Sequence, residues 1–157
     1  MEQAFATPLC LAMGNRKVGR VWTFSLPSLL TCPGASAWCR DHCYARRMEQ
    51  FRPNCRTAYL RNLLVSDNVE NFVRQTLQYL PDDAPLVRIH VSGDFYSSTY
   101  TDAWTRICQA RPHTRFWSYT RSWRVKELAP SLQVLAQQAN MQLFASLDPG
   151  MPMPPNG

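Results

Sequence analysis

Cys32, Cys39 and Cys43 are spaced C-x6-C-x3-C, near enough along the chain for three thiolates of one loop to reach a single metal centre, with Pro33 and Gly34 providing a tight path. Three thiolates suit a [4Fe–4S] cluster with one iron left open. An open iron can take the amino and carboxylate groups of S-adenosylmethionine (SAM), so that an electron from the cluster cleaves the sulfonium. A zinc site completed by Cys55 or His42 is the competing reading, because four nitrogen or sulfur ligands close a tetrahedron. The cluster is the leading expectation of the two.

Six cysteines carry this weight because nothing in the sequence points to an oxidising compartment. The segment MEQAFATPLCLAMGNRKVGR has neither a basic leader nor a sustained apolar run, and no stretch approaches the roughly 20 apolar residues of a membrane span. The expectation is a cytoplasmic protein without a membrane partner, whose cysteines are ligands, core residues or reactive thiols rather than a disulfide framework. Seventeen Lys and Arg against eleven Asp and Glu leave a formal charge of +6, which favours anionic partners such as nucleic acid or nucleotides.

The elements that must position these cysteines follow from period and punctuation. Arg20 to Leu26, RVWTFSL, reads as a buried strand ending at Pro27, and the cysteine loop, 31–44, leads from it into a helix at about Tyr44. A helix over about Asn54 to Leu64 follows, then another capped by Asp67 with Glu70 three residues on and Phe72, Val73, Thr76 and Leu77 at helical spacing. LVRIHVSGDF, TRFWSYT and MQLFASLD supply three further strands, separated by a helix carrying Tyr100, Ala103, Trp104 and Ile107 and by a helical region split at Pro130. Strands and helices in alternation imply an α/β fold with parallel pairing and right-handed crossovers.

Four such units are roughly half of a (β/α)8 barrel. The expected organisation is one domain: an N-terminal extension over 1–19, a partial β/α barrel over 20–148, and a Pro-rich tail over 149–157. The chain stops where a barrel would continue, which suggests a fragment or an open barrel needing a partner, such as a homodimer whose open edges cover each other.

In parallel α/β folds the active site lies at the carboxyl ends of the strands. Four loops meet that condition: the cysteine loop, Ser92-Gly93-Asp94, Tyr119-Thr120-Arg121, and Ser146 with Asp148.

The run CPGASAWCRDHCYA, the segment VSGDFYS and the order of units, together spanning about Trp22 to Asp148, resemble the phage gene product 88 family and, more distantly, the radical SAM superfamily. The resemblance implies a cluster on Cys32, Cys39 and Cys43, with an electron donor, SAM and an unidentified substrate as partners. It also implies a SAM-binding role for Ser92, Gly93 and Asp94, in the place of a Gly-Gly-Glu type motif, and makes Ser118, Thr120, Ser146 and Asp148 candidates to meet the ribose or carboxylate of SAM. The superfamily's usual spacing is C-x3-C-x2-C, shorter at both gaps, and Asp94 stands where Glu is usual.

Other features have plainer readings. Arg40, Arg46, Arg47, Arg52, Arg56 and Arg61 read as a solvated face, with Asp41 and Glu49 interspersed, or as a polyanion site. Trp117, Tyr119 and Trp123 beside Arg115, Arg121 and Arg124 resemble a base-stacking surface, although strand aromatics usually belong to a core. Asp94 or Ser97 suits a helix cap. Cys10 and Cys108 read as small core hydrophobes, His90 as a core histidine, His113 as a turn residue, and His42 as a neighbour of the metal ligands.

Overall fold

A computed structural model describes residues 7–14 and 19–154. The first six residues and the last three of the Pro-rich tail lie outside it.

The four expected strands form and pair in chain order: β2 (Val21–Phe24), β3 (Leu86–Ile89), β4 (Arg115–Thr120) and β5 (Met141–Ala145), each parallel to the next. A short β1 (Ala12–Met13), inside the segment expected to be an extension, adds to β2 in antiparallel fashion, so the sheet has five strands and is mixed. Its length of two residues hid it from any periodicity argument. Trp22 aligns with Val87, Phe116 and Met141, and Thr23 with Arg88, Trp117 and Gln142.

Parallel neighbours joined by right-handed crossovers in chain order place their helices on one face of the sheet. The cysteine loop carries α1 (Ala37–Asp41) and runs into α2 (Tyr44–Phe51), and α3 (Pro53–Ser66) and α4 (Val69–Tyr79) complete the first crossover. Asn68, rather than Asp67, caps α4 by accepting from the Asn71 N–H, because Asp67 is still helical at the end of α3; Glu70 instead pairs with Arg106. α5 (Ser98–Ala110) follows β3 and is capped by Ser97, and α6 (Ala129–Ala136) begins with Pro130 in its first turn after two 3-10 turns.

Phe24, Val87, Ile89, Phe116 and Met141 on the helix side of the sheet meet Phe72, Tyr100, Trp104, Ile107, Leu132 and Leu135 from α4, α5 and α6. Trp104 sits at the centre, its ring edge-on to Phe24 and Phe72 at 5.4 Å each and to Phe116 at 6.4 Å. Such pairs add about 0.5–1.5 kcal/mol each beyond their area. Cys108 is in this core, as its helical stripe implied, whereas Cys10 is half-buried and held through its N–H by Asn62. His90 is a core histidine: it is 4% exposed, packs on Phe95 and shares a 2.7 Å hydrogen bond with the Tyr100 hydroxyl. Its φ of 64° is strained for a non-glycine residue at the end of β3, where the chain turns toward the loops.

A candidate thiol-lined site at the carboxyl ends of the strands

The cysteine loop leaves β2 through Pro27 and turns at Leu29, a second non-glycine residue with positive φ, 63°. The Thr31 hydroxyl bonds back to the Pro27 carbonyl at 2.7 Å, and Cys32 follows. Ser36 opens α1 by accepting from the Cys39 N–H, and Cys43 caps α2, its Sγ accepting from the Arg46 N–H at 3.4 Å. Two of the three cysteines are therefore placed by helix starts, and the third by a hydroxyl-braced turn.

The other loops at this end hold the cysteine loop in position. Glu49 turns inward from α2 and accepts from the Ser28 N–H at 2.8 Å and the Ser92 hydroxyl at 2.9 Å, tying the loop to the end of β3. Gly93, with φ +83°, lies so close to the loop that a Cβ would come within 2.6 Å of Leu26 and 2.7 Å of the Thr31 hydroxyl. Gly34 presses on the backbone of Arg121 beyond β4, leaving no room for a Cβ, and its carbonyl accepts from Arg124 at 2.8 Å. Beyond β5, Asp148 accepts from Ser36 of the loop and from the Arg121 guanidinium.

Asp94 braces the same loops from within. Buried at 5% exposure, it accepts from the Phe95 N–H, the Thr120 hydroxyl at 2.6 Å and the Arg121 N–H at 2.8 Å. Burial raises its pKa, and these donors oppose the rise. Burial likewise disfavours ionisation of Asp148, but the Ser36 and Arg121 donors outweigh it and hold that carboxyl below its ordinary value. Glu49 and Arg121 are central here; the sequence put Glu49 on a solvated face, and Arg121 in a loop at this end of the sheet but as part of a stacking surface rather than as a partner of Asp148. No periodicity marks the one acid of a helix that turns inward.

Cys32, Cys39 and Cys43 all line one open cleft of about 420 Å³, together with Ser92, Gly93, Asp94 and Ser146. Three other expected cofactor contacts stand behind it: Ser118 is fully buried and donates to the Ile89 carbonyl, Thr120 serves Asp94, and Asp148 serves Arg121 and Ser36. Arg88, Trp38, His42 and Tyr119 complete the walls. His42 stacks on Trp38 at 4.5 Å and bonds its carbonyl through Nδ1. Cys55 is outside the cleft lining. His113 is exposed in its turn.

The thiols are close enough to feel one another's charge. Burial, then the carboxylate of Asp94, pushes Cys32 up to about 12, with Cys43 and Cys39 adding to the rise. Burial also raises Cys39, against the opposing charge of Arg121. A metal bound here must displace protons to meet thiolates. Among the described residues no three His, Cys, Asp or Glu side chains converge tightly enough to chelate one ion. A cubane asks for a different arrangement, since each thiolate takes a separate iron and the three must line a cavity rather than meet at a point. Three cysteine sulfurs line the cleft, and no fourth cysteine does.

The geometry defines a mixed α/β protein with sequential parallel strands and a thiol-lined cleft above their carboxyl ends. The profile of the Gene product 88 family matches residues 8–151, and the chain belongs to that family. It is 34% identical to the Gene 88 protein of Mycobacterium phage L5 over 149 residues, covering 87% of this chain and 61% of the phage protein. The Gene 88 protein of Mycobacterium phage D29 is 35% identical over 149 residues, with 87% and 60% covered. The chain thus spans about three fifths of the length of these curated relatives. No solved structure matches it at significance.

Proposed function

We propose that Cys32, Cys39 and Cys43 hold a [4Fe–4S] cluster with one open iron, and that the protein is an enzyme of radical SAM type built on a partial β/α barrel. One observation carries this reading: three thiols of a single loop, and no fourth cysteine, line the cleft where the loops of four sequential parallel strands meet. When bound, the cluster would supply the electron that cleaves the sulfonium of SAM.

The chain's own residues would bind and orient. In this reading Ser92, Gly93, Asp94 and Ser146, which line the cleft, would take the amino acid end of SAM, while Ser118, Thr120 and Asp148 act behind them by fixing the loops. Glu49, Gly34 and Gly93 keep the cysteine loop seated before any cluster arrives, so little ordering remains to oppose binding. In this reading an external donor reduces the cluster and the protein works in the cytoplasm. No helix among the described residues is long and apolar enough to cross a membrane.

Protein purified without oxygen, with each of the three cysteines changed to alanine in turn, tests the reading through iron, sulfide and zinc analysis and electron paramagnetic resonance. Roughly four irons per chain, lost in every variant, is the expected result, with methionine released from SAM under reduction. One zinc per chain, or no metal, would overturn it and leave a zinc-stabilised nucleic-acid-binding module as the better account.

A further inference from the structure

The sheet face turned away from the helices carries a run of side chains that the proposed chemistry does not use. Along it stand Thr23, Arg88, Trp117, Tyr119, Gln142 and Phe144, aligned across β2 to β5. The Arg88 guanidinium lies 5.0 Å from the centre of the Trp117 ring, Trp117 meets Tyr119 edge to face at 5.7 Å, and Tyr119 stacks on Phe144 at 5.2 Å and 30°. Tyr119 is 48% exposed and Phe144 43%. Rings ordered against one another yet open to solvent offer π-faces to a planar ligand.

The charge on this face is of one sign. None of its aligned residues is acidic, Arg88 makes no ion pair among the described residues, and its Nε is buried without an acceptor. A guanidinium held by a ring, with donors unused, is suited to a phosphate oxygen.

Arg88 and Tyr119 also form one wall of the cleft, and Trp38 and Tyr44 line it as well, at the start of the arginine-rich segment. Arg40, Arg46, Arg47, Arg52, Arg56 and Arg61 are all exposed there, and none forms an ion pair among the described residues. Of the two acids interspersed with them, Asp41 is exposed but Glu49 is buried against Ser28 and Ser92, so the exposed charge of the segment is strongly positive. Phe51, at the end of α2 among these arginines, is 84% exposed. Trp38 and Tyr44 thus tie the cleft beside the stacking platform to the chain segment that carries the exposed arginines.

We infer that the open sheet face and the α2–α3 arginine ridge together bind single-stranded nucleic acid. Only a polymer that alternates planar rings with anionic groups matches both halves. Duplex nucleic acid keeps its bases stacked inside and presents no ring faces to Tyr119 or Phe144, and an acidic peptide answers the charge alone. The surface differs from the one suggested by sequence: Arg121 is committed to Asp148, Arg124 to Gly34 and Trp123 to the Ser146 carbonyl, while Arg88 and Phe144 take their places. The inference does not depend on the cluster.

Fluorescence anisotropy with a fluorescein-labelled mixed-sequence oligonucleotide of about 20 nucleotides, long enough for more than one stacking site, tests it. The expected results are binding at low salt that weakens as salt rises, and at least about tenfold weaker competition by the matching duplex. Tyr119→Ala and Phe144→Ala should each weaken binding by about tenfold, as expected for loss of one stacked base. Arg47→Gln with Arg56→Gln should instead flatten the salt dependence while sparing the preference for single strands. Both rings are on the surface, and unchanged circular dichroism would show that the variants fold. Equal affinity for duplex and single strand, or full affinity in both ring variants, would overturn the inference. Self-association in sedimentation that Phe144→Ala abolishes, without oligonucleotide binding, would overturn it by showing that a second copy covers the face. Metal content is measured separately on the same samples, so failure of the nucleic-acid inference and failure of the cluster reading are distinguishable.

Discussion

The two faces of the central sheet are built from alternate residues of the same four strands, yet they serve different ends. On one, Phe24, Val87, Ile89, Phe116 and Met141 disappear beneath α4, α5 and α6. On the other, one residue along, Arg88, Trp117, Tyr119 and Phe144 remain partly or largely in solvent and pack mainly on one another. The first face secures the fold through burial. The second spends large side chains where they bury little, which is the pattern of a surface kept for a ligand.

Truncation on the two faces should therefore give unequal losses. Trp104→Ala empties the centre of the helix-packed side and is expected to cost about 3–5 kcal/mol of stability in chemical denaturation, the largest effect of any single change considered. Tyr119→Ala should cost within about 0.5 kcal/mol. Comparable losses would erase the distinction between the faces.

Acid should attack the helix-packed side next. His90 is buried in the core, and desolvation depresses its pKa to about 3. The unfolded chain binds a proton near pH 6.5 that the folded chain refuses. Stability is therefore fully present above pH 6.5 and is lost as pH falls from about 6.5 toward 3, by several kcal/mol in all. Asp148, held below its ordinary pKa, adds to the loss at the acid end of that range. Denaturation measured between pH 4 and 8 should show the slope, and His90→Gln should flatten it. A slope unchanged in the variant would place the acid sensitivity elsewhere.

Changes at the cleft should act between these extremes. A Cβ at Gly34 would run into the Arg121 backbone, so Gly34→Ala is expected to cost about 1–3 kcal/mol, as overpacking does. On the proposed cluster reading it should also lower iron loading more than its stability loss explains, because it lifts the cysteine loop away from the backbone beyond β4. Iron content and denaturation on the same sample check this. Loading that simply follows stability would show that the seat of the loop is unimportant. Asn68→Ala, which removes only the cap of α4, should cost about 1 kcal/mol and leave both faces and the cleft unaffected.

Much of this architecture was legible in the residues. Alternating strand and helix patterns located all four parallel strands, and the C-x6-C-x3-C loop, Ser92 to Asp94, and Ser146 came together as the topology of a parallel sheet requires. Local signals served less well where two residues competed for one role. Asp67 and Asn68 both suit a cap, and only the extra helical residue of α3 decides between them. β1 was missed because two residues carry no period.

The sequence by itself determined the order of elements, the loop that bears the thiols and the excess of cations, because these follow from period, punctuation and composition. Only the tertiary structure decided which polar groups stay available. Asp94, Thr120 and Asp148 read as cofactor contacts, but they are largely occupied with one another's loops, and Glu49, by turning inward, left Asp41 as the exposed acid among the arginines. The physical reason is that a hydrogen-bonding group is free or committed according to partners up to 112 residues away, as in the Ser36–Asp148 contact, and no local pattern records such a distance.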